Sequence, residues 1–186
     1  MKKQLLVILI SFISTFGFSH ETNKAFFDII QKEAIVEVHC EFPWTIRSAL
    51  MAFDSSLEKA KHKSNFETAF NNYIRESLIL TNSSGDNLEF IDFKEIENKG
   101  HSHANNYLIT FKGSDIKTLK NTLMFNIFDH QENYHTYKSD TREFSFSTEN
   151  GYPLVNLNEE ESAISKWWLL LMIIPTIYLT IKFIKK

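Results

Sequence analysis

Histidine is the residue type in this sequence with the clearest capacity for chemistry. The chain carries 7 His, and three of them suggest a metal site: His20, and the pair His101 and His103 that flanks Ser102 in a polar segment. Imidazole is a ligand for copper, zinc and nickel. At a free amino terminus, His20 would offer both an amine and an imidazole to a copper ion. The sequence therefore raises the hypothesis of a copper or zinc site at these three histidines.

The competing interpretation is that these histidines are solvated loop residues. A structural metal site needs about four ligands in a fixed geometry, whereas the sequence shows only pairs. Glu37, His39 and Glu41 would share one face of a predicted strand, and alternating charges there are typical of a solvated surface. Both interpretations of the loop histidines stay open at this point.

Sequence signatures of catalysis are missing from the chain. It contains no Gly-rich phosphate loop, no GxSxG nucleophile motif and no HExxH zinc motif. Cys40 is the only cysteine, which excludes an intramolecular disulfide, and no catalytic partner for it is identifiable. Because Cys40 alternates with Val36, Val38 and Phe42, we expect a buried and unreactive thiol. The sequence therefore predicts a protein that is not an enzyme, with no cofactor other than the hypothetical metal.

The amino-terminal segment 1–19 has the three parts of a secretory signal peptide. A pair of lysines is followed by an apolar run at 5–18, and Gly17 and Ser19 supply small residues before the cleavage point. Cleavage after Ser19 would make His20 the mature amino terminus. The alternative is a retained membrane anchor, since the apolar run nearly spans a bilayer.

The carboxyl-terminal segment 167–184 reads WWLLLMIIPTIYLTIKFI, close to the roughly 20 apolar residues that cross a bilayer. Three glutamates at 159–161 precede it and two lysines at 185–186 follow it, and positive charge prefers the cytoplasm. We therefore expect a single-pass protein of the inner (cytoplasmic) membrane. Its amino-terminal domain would lie in the periplasm and residues 185–186 in the cytoplasm, with 150–166 as a polar juxtamembrane linker.

Composition limits what the remaining domain, residues 20–149, can bind. Between residues 20 and 158 there are 14 Lys and Arg against 20 Asp and Glu, a net charge near −6. An acidic domain argues against nucleic acid and against electrostatic docking on anionic lipid. The chain has 17 Phe, which can supply much of one hydrophobic core.

Hydrophobic periodicity predicts a mostly β domain with one clear helix. The helix at 64–77 would bury one apolar stripe against a sheet, and Ser64 with Glu67 would form a capping box. A short helix is predicted at 45–53, followed by an exposed polar excursion at 54–63. Strands are predicted at 24–30, 33–42, 78–81, 88–96, 107–111, 119–128, 134–137 and 142–148. The pattern favours an immunoglobulin-like β-sandwich of about 7–8 strands with one inserted amphipathic helix, and a small barrel is the alternative.

The segment 119–137 is predicted to form the centre of this domain. Residues 123–128 are apolar on both alternating faces, as in a strand buried on both sides. The polar break at 129–133 and the β-prone run at 134–137 then predict a hairpin. Polar side chains exceed the needs of a turn in the loops 98–106 and 129–133. The candidate partner-binding residues in these loops are His101, His103, Asn105, His130, Gln131 and Asn133.

The run NTLMFNIFDHQENYHTY, preceded by FETAFNNYIRESLIL, resembles an uncharacterised family of small exported Gram-negative bacterial proteins, a domain of unknown function. Members share a signal peptide, a His soon after cleavage, an amphipathic helix and the pattern NTLxFxxFDxQxN, whose turn is residues 128–133 here. The likeness covers residues 20–148, and a carboxyl-terminal anchor is not a general feature of the family. It implies Gram-negative export and carries no activity and no catalytic residues.

The function expected from the sequence is therefore binding. A domain tethered by one helix is concentrated at the membrane, which favours recognition of another envelope component. The expected partner is a cell-envelope protein, and integral membrane proteins are among the candidates. A periplasmic copper- or zinc-binding protein is the alternative.

Overall fold

The computed structural model describes residues 22–97 and 104–157. The predicted signal peptide with His20, the pair His101 and His103, the predicted membrane segment at 167–184 and the tail at 185–186 lie outside the described residues. Within the described ranges, none of the helices is both long and apolar enough to cross a bilayer.

The described chain forms nine strands and two α-helices, so the prediction of a mostly β domain is confirmed. The strands are β1 (Lys24–Gln31), β2 (Ile35–Phe42), β3 (Leu78–Asn82), β4 (Glu89–Ile96), β5 (Asn105–Lys112), β6 (Ile116–Asn121), β7 (Glu132–Lys138), β8 (Glu143–Glu149) and β9 (Leu154–Asn156). The helices are α1 (Ile46–Phe53) and α2 (Lys63–Ser77), with a short 3₁₀ helix at Ser55–Lys59 between them.

The strands form two sheets, one with six strands in the order β4–β5–β2–β1–β7–β8 and one with three in the order β3–β6–β9. Neighbouring strands are antiparallel, except that β1 and β7 are parallel. We call the end of the six-stranded sheet where β1 begins, beside Thr22, the near end. The end at the β1–β2 turn is the far end. The registers Phe42↔Asn105, Lys24↔Glu132 and Ile96↔Asn106 place the starts of β5 and β7 and the ends of β2 and β4 at the near end.

Alternation along β2 shows why the strands form and where the core lies. Val36, Val38, Cys40 and Phe42 are buried. The residues between them, Glu37, His39 and Glu41, lie on the outer face, as the sequence predicts. The buried residues of both sheets and of the helices join one hydrophobic core. The prediction for Cys40 is confirmed: the thiol is buried, and burial, with a smaller contribution from the charge of Asp28, raises its pKa well above the ordinary value.

Helix α2 packs its apolar stripe onto the six-stranded sheet as predicted, but its start differs. The Phe70 ring lies 4.4 Å from the Tyr107 ring, and the helix residues Ala69, Tyr73 and Ile74 are buried with it. The predicted capping box is wrong. The helix begins at Lys63, without a side-chain cap, and the carbonyl of Ser64 accepts a hydrogen bond from the Thr68 hydroxyl inside the helix.

The predicted central strand at 123–128 and the hairpin at 129–133 are wrong. Strand β6 ends at Asn121 and belongs to the small sheet, whereas β7 begins at Glu132 in the large one. The intervening residues form an irregular connection, in which Met124 has a φ of 67° that no strand residue adopts. Only Leu123 and Met124 of this segment are buried, while Phe125, Ile127 and Phe128 are half-buried and Asn126 is exposed.

This connection is held by one chain of hydrogen bonds. The Met124 N–H donates to the Tyr73 hydroxyl at 2.6 Å, and that hydroxyl donates to Asn126 Oδ1 at 2.8 Å. Asn126 Nδ2 in turn donates to the Ala49 carbonyl of α1 at 2.8 Å. These bonds satisfy backbone groups that a strand would have paired in a sheet.

Strand β9 lies inside the segment 150–166 that was predicted as a linker. It pairs with β6, and the N–H of Leu157 donates to the Lys117 carbonyl at 2.7 Å. The folded domain therefore continues to Leu157, eight residues beyond the predicted boundary at 149. With only three residues, β9 is too short for periodicity to reveal.

Candidate functional site

An open groove of about 1340 Å³ lies between the two helices and the β4–β5 edge of the six-stranded sheet. Helix α2 forms one wall. The opposite wall is formed by the last residues of β4 and the first residues of β5, at the near end of the sheet. Helix α1 and the residues just before α2 close the remaining side. The lining residues used below are Trp44, Arg47, Lys61, His62, Lys63, Phe66, Glu67, Phe70, Phe93, Lys94, Glu95, Asn105 and Tyr107.

The floor of the groove is aromatic. The Phe70 ring centroid lies 4.4 Å from that of Tyr107 and 4.7 Å from that of Phe93. Burial first, and the nearby charge of Glu95 second, raise the pKa of Tyr107, so its phenol stays neutral at neutral pH. The floor therefore offers flat apolar surface with one phenol in it.

The two acidic residues of the groove are engaged by one lysine. Lys63 Nζ lies 3.0 Å from Glu95 and 3.8 Å from Glu67. The hydrogen bond to Glu95 is the main cause that raises the pKa of Lys63. These are exposed ion pairs, so their contribution to stability is small. Lys63 thus offsets one of the two negative charges of Glu67 and Glu95.

Two further cations line the groove without such partners. The guanidinium carbon of Arg47 lies 4.7 Å from the centroid of the Phe66 ring, a cation–π contact. Among the described residues, Lys61 forms no ion pair and its side chain is exposed. Lys94 pairs with Leu108 on the outer face of the sheet, opposite to Phe93 and Glu95, so its side chain does not enter the groove. Three Lys and Arg side chains against two Glu leave the groove with a small net positive charge, although the domain as a whole is acidic.

Trp44 is a large aromatic side chain at the mouth of the groove and is 61% exposed. Its backbone position is fixed by its neighbours, because the Thr45 hydroxyl donates to the Thr22 carbonyl and Asn105 Nδ2 donates to the Pro43 carbonyl. An exposed Trp beside apolar surface is typical of residues that dominate binding interfaces.

Of the six predicted partner-binding residues, Asn105 lies at the groove and His130 is exposed elsewhere at the near end. The His130 carbonyl accepts a hydrogen bond from Asn23 at 2.9 Å. His101 and His103 lie outside the described residues, as does the predicted metal ligand His20. Within the described residues, no group of three or more metal-ligating side chains is present.

Gln131 and Asn133 lie in the interior and not at the surface where the prediction needs them. Gln131 Nε2 donates to Asn133 Oδ1 at 3.0 Å, and Asn133 Nδ2 donates to the Leu123 carbonyl at 3.1 Å. Both residues are fully buried. Their amides stabilise the backbone of the irregular connection, so they cannot contact a partner.

His135 is a buried titratable group beside Asn121, the residue just before this connection. Its ring stacks between Phe27 at 5.1 Å and Phe146 at 4.7 Å, and its Nε2 lies 3.0 Å from Asn121 Nδ2. Burial lowers the pKa of His135 to about 3. The imidazole is therefore neutral at neutral pH and enclosed, which is unsuited to acid–base catalysis.

A second, shallower hollow of about 450 Å³ lies on the outer face of β1, β7 and β8. Phe26 and Tyr134 stack there with ring centroids 5.6 Å apart, and Asp28 lies beside them. This hollow has a third of the volume of the groove, and none of its lining residues is a lysine or arginine. It offers fewer groups for recognition than the groove.

Sequence reasoning missed the groove because its residues come from four separate segments. Residues 54–63 were interpreted as an exposed excursion, although Lys61, His62 and Lys63 line the groove. Two features of the sequence could have indicated it: a Trp directly after the strand-ending Pro43, and a cluster of lysines at 59–63 in an otherwise acidic domain.

No protein-family model matches the chain, and no curated protein matches it significantly. The resemblance to an exported bacterial family therefore stays a prediction. The class that the fold defines is a mostly β domain with two sheets, and any statement of function has to be argued from the groove.

Proposed function

We propose that this protein is a membrane-anchored periplasmic interaction module that binds a cell-envelope protein through the groove between α1, α2 and the β4–β5 edge. The observation that carries the proposal is the exposed Trp44 beside an open, aromatic-floored groove. Large apolar side chains in concave, partly polar surfaces supply most of the binding energy in protein interfaces. No catalysis is part of the proposal.

The position of the last described residue supports a carboxyl-terminal anchor in the inner membrane. Leu157 bonds to Lys117, next to Ile116, whose N–H donates to Gln31 Oε1 at the far end of the large sheet. The chain thus leaves the described domain at the end opposite to Trp44. A membrane segment at 167–184 would leave the groove facing away from the bilayer, towards periplasmic or membrane-bound partners.

We also propose that the two sheets form a β-sandwich of immunoglobulin-like general plan. Antiparallel pairing and a core shared by both sheets support it. The parallel pairing of β1 with β7 and the division into six and three strands depart from a purely antiparallel sandwich.

Site-specific photocrosslinking tests the binding function. Trp44 is replaced by p-benzoylphenylalanine in the full-length protein, which is expressed in its native membrane and irradiated. The matched control carries the same group at Tyr152, which is 74% exposed and does not line the groove. We expect a discrete adduct from position 44 and none of the same mass from position 152. Equal adducts from both positions, or none from position 44, would refute binding through the groove.

The second candidate function is copper or zinc binding by His20, His101 and His103. One observation favours it. Thr22, Glu97 and Ala104, from which the segments with these histidines continue, lie next to β1, β4 and β5 at the near end of the sheet. Both segments therefore start from the same end of the sheet, which is what a shared ion would require.

Calorimetric titration of the full-length protein with Cu²⁺ and Zn²⁺ tests this second function. We expect about one equivalent of tightly bound metal, with much weaker binding after His101→Ala and His103→Ala. His39→Ala, on the outer face of β2, serves as the matched control and should bind as the unchanged protein does. Affinity no better than millimolar in the unchanged protein rules the metal function out.

A further inference from the structure

We infer that the groove accepts an acidic peptide segment that carries an aromatic or aliphatic anchor residue. This inference rests on the proposed binding function and names the chemistry of the partner. It follows from the distribution of charge around the groove, from its apolar floor and from the way α2 covers strand β4.

The charge of the groove is opposite to that of the domain. Arg47, Lys61 and Lys63 present their side chains there against two Glu residues, and both glutamates contact Lys63. The surrounding domain carries 14 Lys and Arg against 20 Asp and Glu between residues 20 and 158. An acidic segment is therefore repelled by most of the domain surface and attracted at the groove, which fixes where and how it docks.

The apolar floor requires more than charge from the partner. Phe93 and Tyr107 are half-buried, pack against the buried Phe70 and form an aromatic surface at the floor, and Trp44 lies at the mouth of the groove. A wholly charged segment would leave this surface in water. A segment that carries a Phe, Trp or Leu among acidic residues would bury this apolar side chain on the floor of the groove. Its carboxylates would pair with the basic side chains of the groove.

The same geometry disfavours recognition by an added β-strand. Strand β4 is the edge of the large sheet beside the groove, but α2 covers it at two points. Arg75 donates to the carbonyl of Phe90 at 3.4 Å, and Lys63 bonds to Glu95 at 3.0 Å. A partner is therefore held by side-chain contacts in the groove and not by a ladder along β4.

Polyanions with regularly spaced phosphates fit less well than an acidic peptide. Nucleic acids and anionic bilayers present wide surfaces of negative charge and are recognised by extended basic faces. Here the groove is a narrow patch with few cations in a domain of net charge near −6. A single peptide segment is narrow enough to contact the cations without facing the acidic surroundings.

Selection from a phage-displayed random dodecapeptide library tests the inference. The full-length protein is presented in lipid nanodiscs, and a parallel selection uses the groove variant Arg47→Glu/Lys61→Glu. The matched control is Lys117→Glu/Lys120→Glu, an equal charge change at two exposed positions on β6. We expect selected peptides with net negative charge and at least one aromatic or leucine residue.

Binding of a selected peptide should fall at least tenfold in the groove variant and stay unchanged in the control. A neutral or basic consensus overturns the inference, as does binding that is insensitive to the groove variant. A library that yields no peptide overturns it as well. Adducts from position 44 report partner binding independently of peptide selection. If those adducts persist, a negative selection result overturns only the inference about an acidic peptide and leaves the proposed binding function standing. Failure of the inference can therefore be distinguished from failure of the proposed function.

Discussion

His135 is the residue with the most strongly perturbed environment among the described titratable groups for which a pKa is given. Asn121 Oδ1 accepts a hydrogen bond from the Leu123 N–H, so its amide nitrogen faces His135 and donates to Nε2. The imidazole is therefore neutral, with its proton on Nδ1, which is buried and has no hydrogen-bond partner among the described residues. Protonation would place a charge between two aromatic rings, and this is why burial depresses the pKa.

This geometry predicts a stability that falls in mild acid. The pKa of His135 is about 3 in the folded state against 6.5 ordinarily, so the unfolded chain binds the proton more tightly. The contribution of His135 is fully present above pH 6.5 and is lost progressively as the pH falls from 6.5 towards 3, by about 1.4 kcal/mol for each pH unit. Urea denaturation of the full-length protein between pH 7.5 and 4 measures this slope.

Two variants separate this effect from the titration of carboxylates. His135→Gln cannot take up the proton, so we expect lower stability at pH 7.5 but a shallower loss between pH 6.5 and 4. His39→Gln, on the outer face of β2, should keep the slope of the unchanged protein. An identical slope in the unchanged protein and the His135→Gln variant would disprove this role of His135.

Tyr73 is the second residue that stabilises the interior through a polar group. Its hydroxyl accepts from the strained Met124 and donates to Asn126, and burial raises its pKa to about 12. Tyr73→Phe leaves the buried Met124 N–H unpaired, so we expect a loss of about 1–3 kcal/mol in the free energy of unfolding. Denaturation by urea measures it, with Tyr152→Phe as the control that should change stability by less than about 0.5 kcal/mol. A Tyr73→Phe variant as stable as that control would show that the hydroxyl does not hold the connection.

At the scale of elements, turns and connections decide how the strands are arranged. Gly113 separates β5 from β6 with a φ of 127°, and its N–H donates to the Ala34 carbonyl of the β1–β2 turn. A Cβ at this position would lie 2.9 Å from Leu88 Cγ. Both the backbone conformation and the close approach require glycine here.

Gly113→Ala should therefore destabilise the protein by about 1–3 kcal/mol. Gly85→Ala is the matched control, because its φ of 89° is also positive but a Cβ there would meet nothing within 4 Å. We expect Gly113→Ala to lower the thermal midpoint clearly more than Gly85→Ala does. Equal shifts would mean that the contact with Leu88 contributes nothing.

Elements with a regular pattern were predictable from the sequence. The alternation of buried and outer residues from Val36 to Phe42 predicted β2, and the apolar stripe from Ala69 to Ile74 predicted α2. The segment 122–130 was not predictable, because a run of apolar residues looks the same in a buried strand and in a partly buried irregular connection. Only the tertiary bonds of Tyr73 and Asn133 distinguish the two, and these residues are distant in sequence from the backbone groups they satisfy.

The candidate site was predicted less well than the fold for a similar reason. Polar loop residues such as Gln131 and Asn133 were expected to bind a partner, but their amides serve the interior. The groove instead combines Trp44 with residues from α1, α2, β4 and β5. Its composition becomes visible only once the helices are placed on the edge of the large sheet.

At the scale of the whole molecule, the domain has two functionally different ends. The described domain begins at Thr22, which accepts a hydrogen bond from Thr45 at the near end, close to Trp44 and the groove. Its last described residue, Leu157, lies at the far end beside Lys117. In our proposal the far end faces the inner membrane and the near end faces the periplasm. The basic groove then lies where an acidic segment of an envelope partner can reach it.

The yield of the photoadduct from position 44 in charge-reversed full-length protein tests this account most directly. Arg47→Glu/Lys61→Glu turns two attractive contacts into repulsive ones, and a total change of about 1.4 kcal/mol corresponds to a tenfold loss of affinity. We predict an adduct yield roughly tenfold lower in this variant and unchanged in Lys117→Glu/Lys120→Glu. A yield that the groove variant leaves unchanged, or that both variants lower equally, would contradict recognition of an acidic partner in the groove.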